Sequence, residues 1–272
     1  MKQACTLEGK IAVITGCGRG IGRAIALGYA RAGASLTGVD IDEEAAQKTM
    51  AECRAVGAGA VCVKTDVTDS RDVEDMVRAA MDRYGRIDVL VNNAGGPVSP
   101  SAVVTMSEEL WDEVINLNLR STFLCNRAAG RQMLKQRSGV IINVASAMGM
   151  TAYPFSAHYA ASKAAIINFT QTLAVELGQH NVRVNAIAPG PVMTEKTEEI
   201  YRQNPEMNNE RISYTPLGRV AVPDDISGAA VFLASDMARF ITGEVIKVDG
   251  GLVAVVTPRI MKRLNEELPG QV

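Results

Sequence analysis

A doubly wound α/β domain, a parallel sheet with helices on both faces, is what this 272-residue sequence predicts. Three observations lead there. Seven short apolar, β-branched runs alternate with longer stretches of helical periodicity. The runs are apolar almost throughout, not at every second residue, as strands buried on both faces require. A glycine-rich turn joins the first run to the first helical stretch.

The elements follow in order. The first strand, Ile11–Thr15, passes through the glycine turn into a helix over 20–32. Ser35–Asp40 and Ala60–Lys64 read as the next strands, with a helix over 42–57 between them. Asp69 and Ser70 signal the start of a helix over Ser70–Tyr84, and 87–91 reads as the fourth strand. Ser107, followed by two acids, opens one long helical stretch over 107–136. A strand over 140–145, a helix over 156–179 and a strand over 182–188 come next. Pro223, with Asp224 and Asp225 behind it, opens a helix over 223–235, and Val245–Val248 completes the sheet of about seven strands. One region breaks the rhythm. Residues 190–218 are polar, proline-bearing and rich in Asn and Glu, with no predicted helix or strand. Insertions at the C-terminal edge of a strand are where α/β enzymes cover their ligands, so this one is expected to be a substrate lid. The tail, 252–272, carries a basic-then-acidic, helix-like segment over 259–268. No linker or repeat interrupts the chain, so 1–272 reads as a single domain.

Thr15-Gly16-Cys17-Gly18-Arg19-Gly20-Ile21-Gly22 lies between the first strand and the first helix. Its glycines permit a tight turn and let backbone N–H groups approach a pyrophosphate, and the helix N-terminus adds partial positive charge. In this strand–turn–helix setting the turn predicts a Rossmann-type dinucleotide site. The second strand ends on Asp40. A carboxylate there accepts hydrogen bonds from an adenosine ribose and repels a 2′-phosphate, which favours NAD over NADP. Arg19 pulls the other way, since a guanidinium in the turn pairs with phosphate.

With these residues placed, the chain resembles the short-chain dehydrogenase/reductase family in its classical form, over residues 7–251. The family's T-G-x-x-x-G-I-G turn is matched at 15–22 and its N-N-A-G element at Asn92-Asn93-Ala94-Gly95. Its catalytic Asn falls on Asn118, its catalytic Ser on Ser146, its Y-x-x-x-K pair on Tyr159 and Lys163, and its P-G element on Pro189-Gly190. The resemblance implies further cofactor contacts. Asp66 with Val67 would meet the adenine. Backbone near Ile21 and the strip Asn93, Ala94, Gly95 would line the cofactor. Residues 189–194 would hold the nicotinamide end, with the Val192 backbone at the carboxamide and Thr194 at the phosphate or amide. It also implies a homotetramer or dimer packed through helices near 107–136 and 156–179. The tail is expected to reach a neighbouring subunit or edge the pocket.

The chemistry explains why these residue types are needed. Alcohol oxidation removes a hydride, which the nicotinamide accepts, and a proton, which the protein must handle. Tyrosine, with a reference pKa of about 10, is a poor base near neutrality. A nearby ammonium and the positive cofactor ring would favour tyrosinate. Lys163 stands four residues after Tyr159 on a predicted helix, so both project from one face. The family gives this lysine a second task, binding the nicotinamide ribose. Ser146 would hydrogen-bond the substrate oxygen. Asn118 would hold a water that links Lys163 to solvent.

Composition excludes other classes. Hydrophobic residues are 47% and charged residues 21%, so a large core is available and disorder is not expected. The formal net charge is −2 with signs mixed along the chain, which argues against nucleic-acid and membrane-surface partners. The N-terminus lacks the apolar core of a signal peptide, and a reducing, cytoplasmic setting is the default. The five cysteines show no C-x-x-C spacing, and neither His158 nor His180 has a ligand cluster, so no metal is expected. Cys17 sits in the turn, where a reactive thiol or a small buried hydrophobe would both fit. Met148, Met150, Tyr153 and Phe155 would wall a substrate pocket or pack in the loop core, and Met193 would touch substrate. Lid residues Asn204, Asn208, Asn209 and Arg211 suit a sugar, polyol or hydroxy acid as well as plain solvation. Three functions compete: an NAD-dependent dehydrogenase acting on a secondary alcohol or ketone, an NADPH-dependent 3-oxoacyl-type reductase, and a non-catalytic dinucleotide sensor.

Overall fold

The computed structural model describes residues 5–96 and 99–254. The apolar runs become β1 (Ile11–Thr15), β2 (Ser35–Asp40), β3 (Ala60–Lys64), β4 (Val89–Asn92), β5 (Gly139–Val144), β6 (Val182–Pro189) and β7 (Val245–Val248). They form one sheet in the order β3-β2-β1-β4-β5-β6-β7, parallel throughout. Every residue of β1 and β4 is buried, while the edge strands β3 and β7 are partly exposed. The chain builds outward from β1 to β3 and then returns to β4 on the other side of β1. That reversal opens a crevice at the C-terminal ends of β1 and β4, where α/β sheets bind ligands.

Helices cover both faces. One face packs α1 (Gly20–Arg31), α2 (Glu43–Ala55) and α9 (Pro223–Ala234) over Ile14, Leu36 and Ile142. The other packs α3 (Ser70–Tyr84), α5 (Ser121–Gln136) and α6 (Ala157–Gly178) over Val13, Leu90 and Ile141. Each of these fully buried aliphatic side chains contributes about 1.5–3 kcal/mol of transfer free energy. Tyr29 is buried, and its hydroxyl donates to the Ala230 carbonyl at 3.0 Å, tying α1 to α9.

Three expectations are corrected. The fourth strand starts later than the apolar run because both backbone groups of Ile87 bond the Gln136 side chain, at 3.1 and 2.8 Å. The stretch 107–136 is not one regular helix: α4 (Glu108–Ile115) passes through a π turn, Asn116–Arg120, into α5. There the Ser121 N–H reaches back to the Asn116 carbonyl, and the Ser121 and Thr122 hydroxyls donate to the Leu117 and Asn118 carbonyls at 2.6 and 2.7 Å. The region 190–218 contains α7 (Glu195–Gln203) and α8 (Pro205–Tyr214). Thr194 with Thr197 forms the capping box of α7, and Asn204 caps α8 with Pro205 at its first position. Of the tail, 252–254 form a single turn, and the segment 259–268 lies outside the described residues.

Candidate active site

The glycine turn is fastened to the crevice from two sides. The Asn93 side chain donates to the Thr15 and Gly16 carbonyls at 3.0 and 2.9 Å, and the Asn93 and Ala94 N–H groups both reach the Thr15 hydroxyl at 3.0 Å. A Cβ on Gly22 would fall 1.9 Å from the Gly16 carbonyl oxygen, so the third glycine is dictated by the backbone. The N-cap of α1, Arg19, makes no side-chain cap and the first turn holds no acid. The helix therefore presents uncapped donors to the crevice, as an anion site requires. The Gly20 N–H is taken by a lid carboxylate, Glu195 Oε2, at 3.2 Å.

Asp40 ends β2 half-buried over the turn, with Oδ2 accepting from the Gly18 N–H at 2.9 Å and Oδ1 from the Asp42 N–H at 3.0 Å. Arg19 is exposed and pairs with Asp42 at 3.5 Å. At the end of β3, Asp66 accepts from the Thr68 N–H and hydroxyl, and Val67 is buried beside it. Cys17 lies inward against Gly38, and burial pushes its thiol well above the ordinary range, so it packs as a hydrophobe.

The second half of the site lies at the ends of β4, β5 and β6. Ser146 follows β5, and its Oγ accepts from the Met148 N–H at 3.1 Å. Tyr159 and Lys163 share one face of α6, with Nζ 5.5 Å from the phenol ring centroid. Lys163 is buried and donates to the Val144 carbonyl at 2.8 Å. Burial pulls its ammonium down to about 8 and pushes the Tyr159 phenol up to about 12, the latter opposed by a hydrogen bond with Ser146. In the polypeptide alone, desolvation is the larger influence on this phenol and Ser146 the smaller, opposing one. Asn118 is buried in the π turn. Its amide donates to the Val114 and Gly96 carbonyls at 3.0 and 3.2 Å, and its Oδ1 accepts from the Gly96 N–H at 3.0 Å. Gly95, at φ +140°, has no room for a Cβ, which would sit 2.6 Å from Asn118 Oδ1.

The 189–194 segment crosses toward the turn. Gly190 packs on Asp249, and the Val192 carbonyl accepts from the Thr197 hydroxyl at 2.7 Å. The Thr194 methyl lies 3.1 Å from where a Cβ on Gly20 would stand. Of the expected pocket wall, Phe155 is 62% exposed and Met150 is also exposed, so these two face solvent. Tyr153 instead meets the lid, with the Arg211 guanidinium 4.5 Å above its ring. His158 is buried, its Nε2 against the Ser99 carbonyl at 3.2 Å. Among the described residues, no group of three or more His, Cys, Asp or Glu is placed to hold a metal ion, and no helix is long and apolar enough to cross a membrane.

Sequence reasoning missed a buried polar network beneath the site. Asn92 and Asn126 donate to Asn143 Oδ1 at 2.8 and 3.1 Å, and the Asn143 amide donates to the Thr170 hydroxyl at 2.9 Å. The signal was available: Asn143 interrupts one of the most apolar runs and Asn92 closes another, and they are register partners on β4 and β5.

The fold and this cluster define a nucleotide-binding oxidoreductase, and the comparisons agree. A family model described as enoyl-(acyl carrier protein) reductase matches residues 16–253. A 3-oxoacyl-(acyl-carrier-protein) reductase of Thermotoga maritima is 42% identical over 248 residues, covering 91% of this chain and 99% of that protein. A 2-dehydro-3-deoxy-D-gluconate 5-dehydrogenase of Dickeya dadantii is 39% identical over 249 residues, covering 91% and 97%. Among solved structures, a 7α-hydroxysteroid dehydrogenase complexed with NADH and 7-oxo glycochenodeoxycholic acid superposes with a TM-score of 0.87 at 34% identity, covering 91% of this chain and 95% of that one. The chain belongs to the short-chain dehydrogenase/reductase family.

Proposed function

We propose that the protein is an NAD-dependent oxidoreductase that interconverts a secondary alcohol and a ketone, with Tyr159 as general acid/base assisted by Lys163, Ser146 and Asn118. The observation that carries this reading is the convergence of Ser146 at the end of β5 with Tyr159 and buried Lys163 on one face of α6, beside a glycine turn whose N-cap residue, Arg19, makes no side-chain cap. A dinucleotide fits that turn: no side chain larger than hydrogen is accommodated at Gly22 or Gly95, and the α1 donors face the crevice.

Gly16, Gly18, Arg19, Gly20, Ile21 and Gly22 would hold the pyrophosphate, Asp40 the adenosine ribose, and Asp66 with Val67 the adenine. Asn93, Ala94 and Gly95 would line the cofactor, and Pro189, Gly190, Val192 and Thr194 its nicotinamide end. When bound, the nicotinamide supplies or accepts the hydride. The chain's own residues handle the proton. Ser146 orients the substrate oxygen and the Tyr159 hydroxyl. Tyr159, protonated at neutral pH, donates to a carbonyl oxygen or, deprotonated, accepts from an alcohol. Lys163 supplies a positive charge beside the phenol, and Asn118 fixes the Gly95-Gly96 strip against the π turn.

The Asp40 carboxylate favours NAD. The NADPH-dependent 3-oxoacyl reductase reading is favoured by Arg19 in the turn and by what the Thermotoga relative acts on. Initial rates with both cofactor pairs separate the two, and a strong preference for NADPH refutes the NAD assignment. Tyr159→Phe is expected to bind dinucleotide and lose nearly all turnover, whereas wild-type turnover removes Tyr159 from the mechanism. Exposed Trp111 on α4, Phe123 on α5 and Val175 on α6 support assembly through these helices, which light scattering will test as a homotetramer or dimer.

A further inference from the structure

Beside Gly18 and the start of α2 lies a cavity of about 320 Å³ walled by charged residues of α1, α2 and the lid. Its cations are already matched. Arg23 pairs with Glu52 at 2.5 Å and Lys48 with Glu44 at 2.8 Å. Arg19, next to the cavity, pairs with Asp42 at 3.5 Å. Two backbone donors at the start of α2 are matched as well. Asp42 caps α2 by accepting from the Ala45 N–H at 3.1 Å, and its own N–H goes to Asp40 at 3.0 Å. With Glu43 and Glu44 in the first turn, this helix N-terminus is already supplied with negative charge.

We propose that Asp42 is a second specificity-determining residue, which holds the site to the unphosphorylated dinucleotide. It pairs with Arg19, the one cation of the glycine turn, while its other carboxylate oxygen caps α2. Asp40 repels the phosphate directly, while Asp42 withholds the Arg19 guanidinium from it. This rests on the proposed reading that an adenosine ribose lies against Asp40, but it makes a separate claim about Arg19.

Asp42→Asn tests it, because asparagine caps a helix as well as aspartate and removes the charge. The probes are adenosine 2′,5′-bisphosphate and 5′-AMP, titrated by calorimetry, with NADPH and NADH as fluorescent counterparts. Binding is read directly, without turnover. Asp42→Asn is expected to shift the affinity ratio toward the 2′-phosphate by about tenfold at low salt, and the gain should shrink as salt screens it. Adding Arg19→Ala to that variant should erase the gain, whereas Arg19→Ala alone should move the ratio less than about twofold. An unchanged ratio in Asp42→Asn, a gain that survives Arg19→Ala, or a large loss from Arg19→Ala alone overturns the inference. A wild-type protein that prefers NADPH refutes the NAD reading instead, and the role of Asp42 is then still decided by the change in ratio. If Asp42→Asn fails to fold, the Arg19→Ala arm decides.

Discussion

Lys163→Met separates what the lysine does for chemistry from what it does to the fold. The Lys163 ammonium is buried, and its pKa falls from 10.5 to about 8 because burial disfavours the charge. Each pKa unit is about 1.4 kcal/mol, so the charged form is held in the fold at a cost of about 3 kcal/mol. The sign is definite. Below pH 8 both folded and unfolded chains carry the proton, and the penalty is fully present. Between 8 and 10.5 the folded chain has lost the proton and the unfolded chain has not, so stability gained from this residue rises with pH. Methionine fills similar space without titrating. Urea unfolding of wild type and variant across pH 7 to 10.5, taken as a difference, cancels the buried thiols and phenols that titrate in the same range. The wild type should gain about 3 kcal/mol on the variant over that window. The lost hydrogen bond to Val144 shifts the whole difference by about 1–3 kcal/mol but leaves its slope alone. A flat difference, or one of opposite slope, would refute the claim that the fold holds this ammonium against its preference.

Three further outcomes follow from the same geometry. Glu195 places a carboxylate on the Gly20 N–H, where a pyrophosphate would bind, so Glu195→Gln should tighten dinucleotide binding about two- to fivefold by calorimetry; weaker binding would count against the competition. Gly22→Ala drives a Cβ into the Gly16 carbonyl and should abolish dinucleotide binding with a lowered thermal midpoint, whereas wild-type affinity would show that the turn yields freely. Asn143→Leu strips partners from Asn92, Asn126 and Thr170 and should cost about 3 kcal/mol or more, read by denaturant midpoint, since each orphaned buried group costs about 1–3 kcal/mol; a loss within 1 kcal/mol would show that water or repacking satisfies them.

The sheet was legible because its signal is one-dimensional. A run such as Ile11–Thr15, apolar at consecutive positions, has few homes besides a strand covered on both faces. Gly16, Gly20 and Gly22 were legible for a similar reason: the turn constrains residue type at fixed spacing. What stayed hidden depends on contacts across the chain. The lid helices have weak apolar faces that bury none of their residues, so periodicity passed over them, although Thr194-x-x-Thr197 and Asn204-Pro205 were readable start signals. The π turn at Asn118 arises from hydroxyls at Ser121 and Thr122 folding back on carbonyls, which spacing alone does not reveal. The Asp42–Arg19 pair needed the α2 N-terminus to be placed beside the turn before its charge balance had meaning.

Burial moves the two members of the central pair in opposite directions, and this bears on the direction of reaction. With its phenol raised to about 12, Tyr159 enters neutral solution as an acid. A phenol serves carbonyl reduction as it stands, whereas alcohol oxidation first requires its proton to leave. Turnover of an alcohol should therefore rise from pH 7 to 10, while turnover of the matching ketone should not. Ser146 is the group that opposes burial by hydrogen-bonding the phenol oxygen, so Ser146→Ala raises the phenol further. Its effect on oxidation should then be a displacement of the alkaline limb to higher pH together with a lower rate. A uniform drop at every pH, with the limb unmoved, would reduce Ser146 to a contact with the substrate and refute its part in tuning Tyr159.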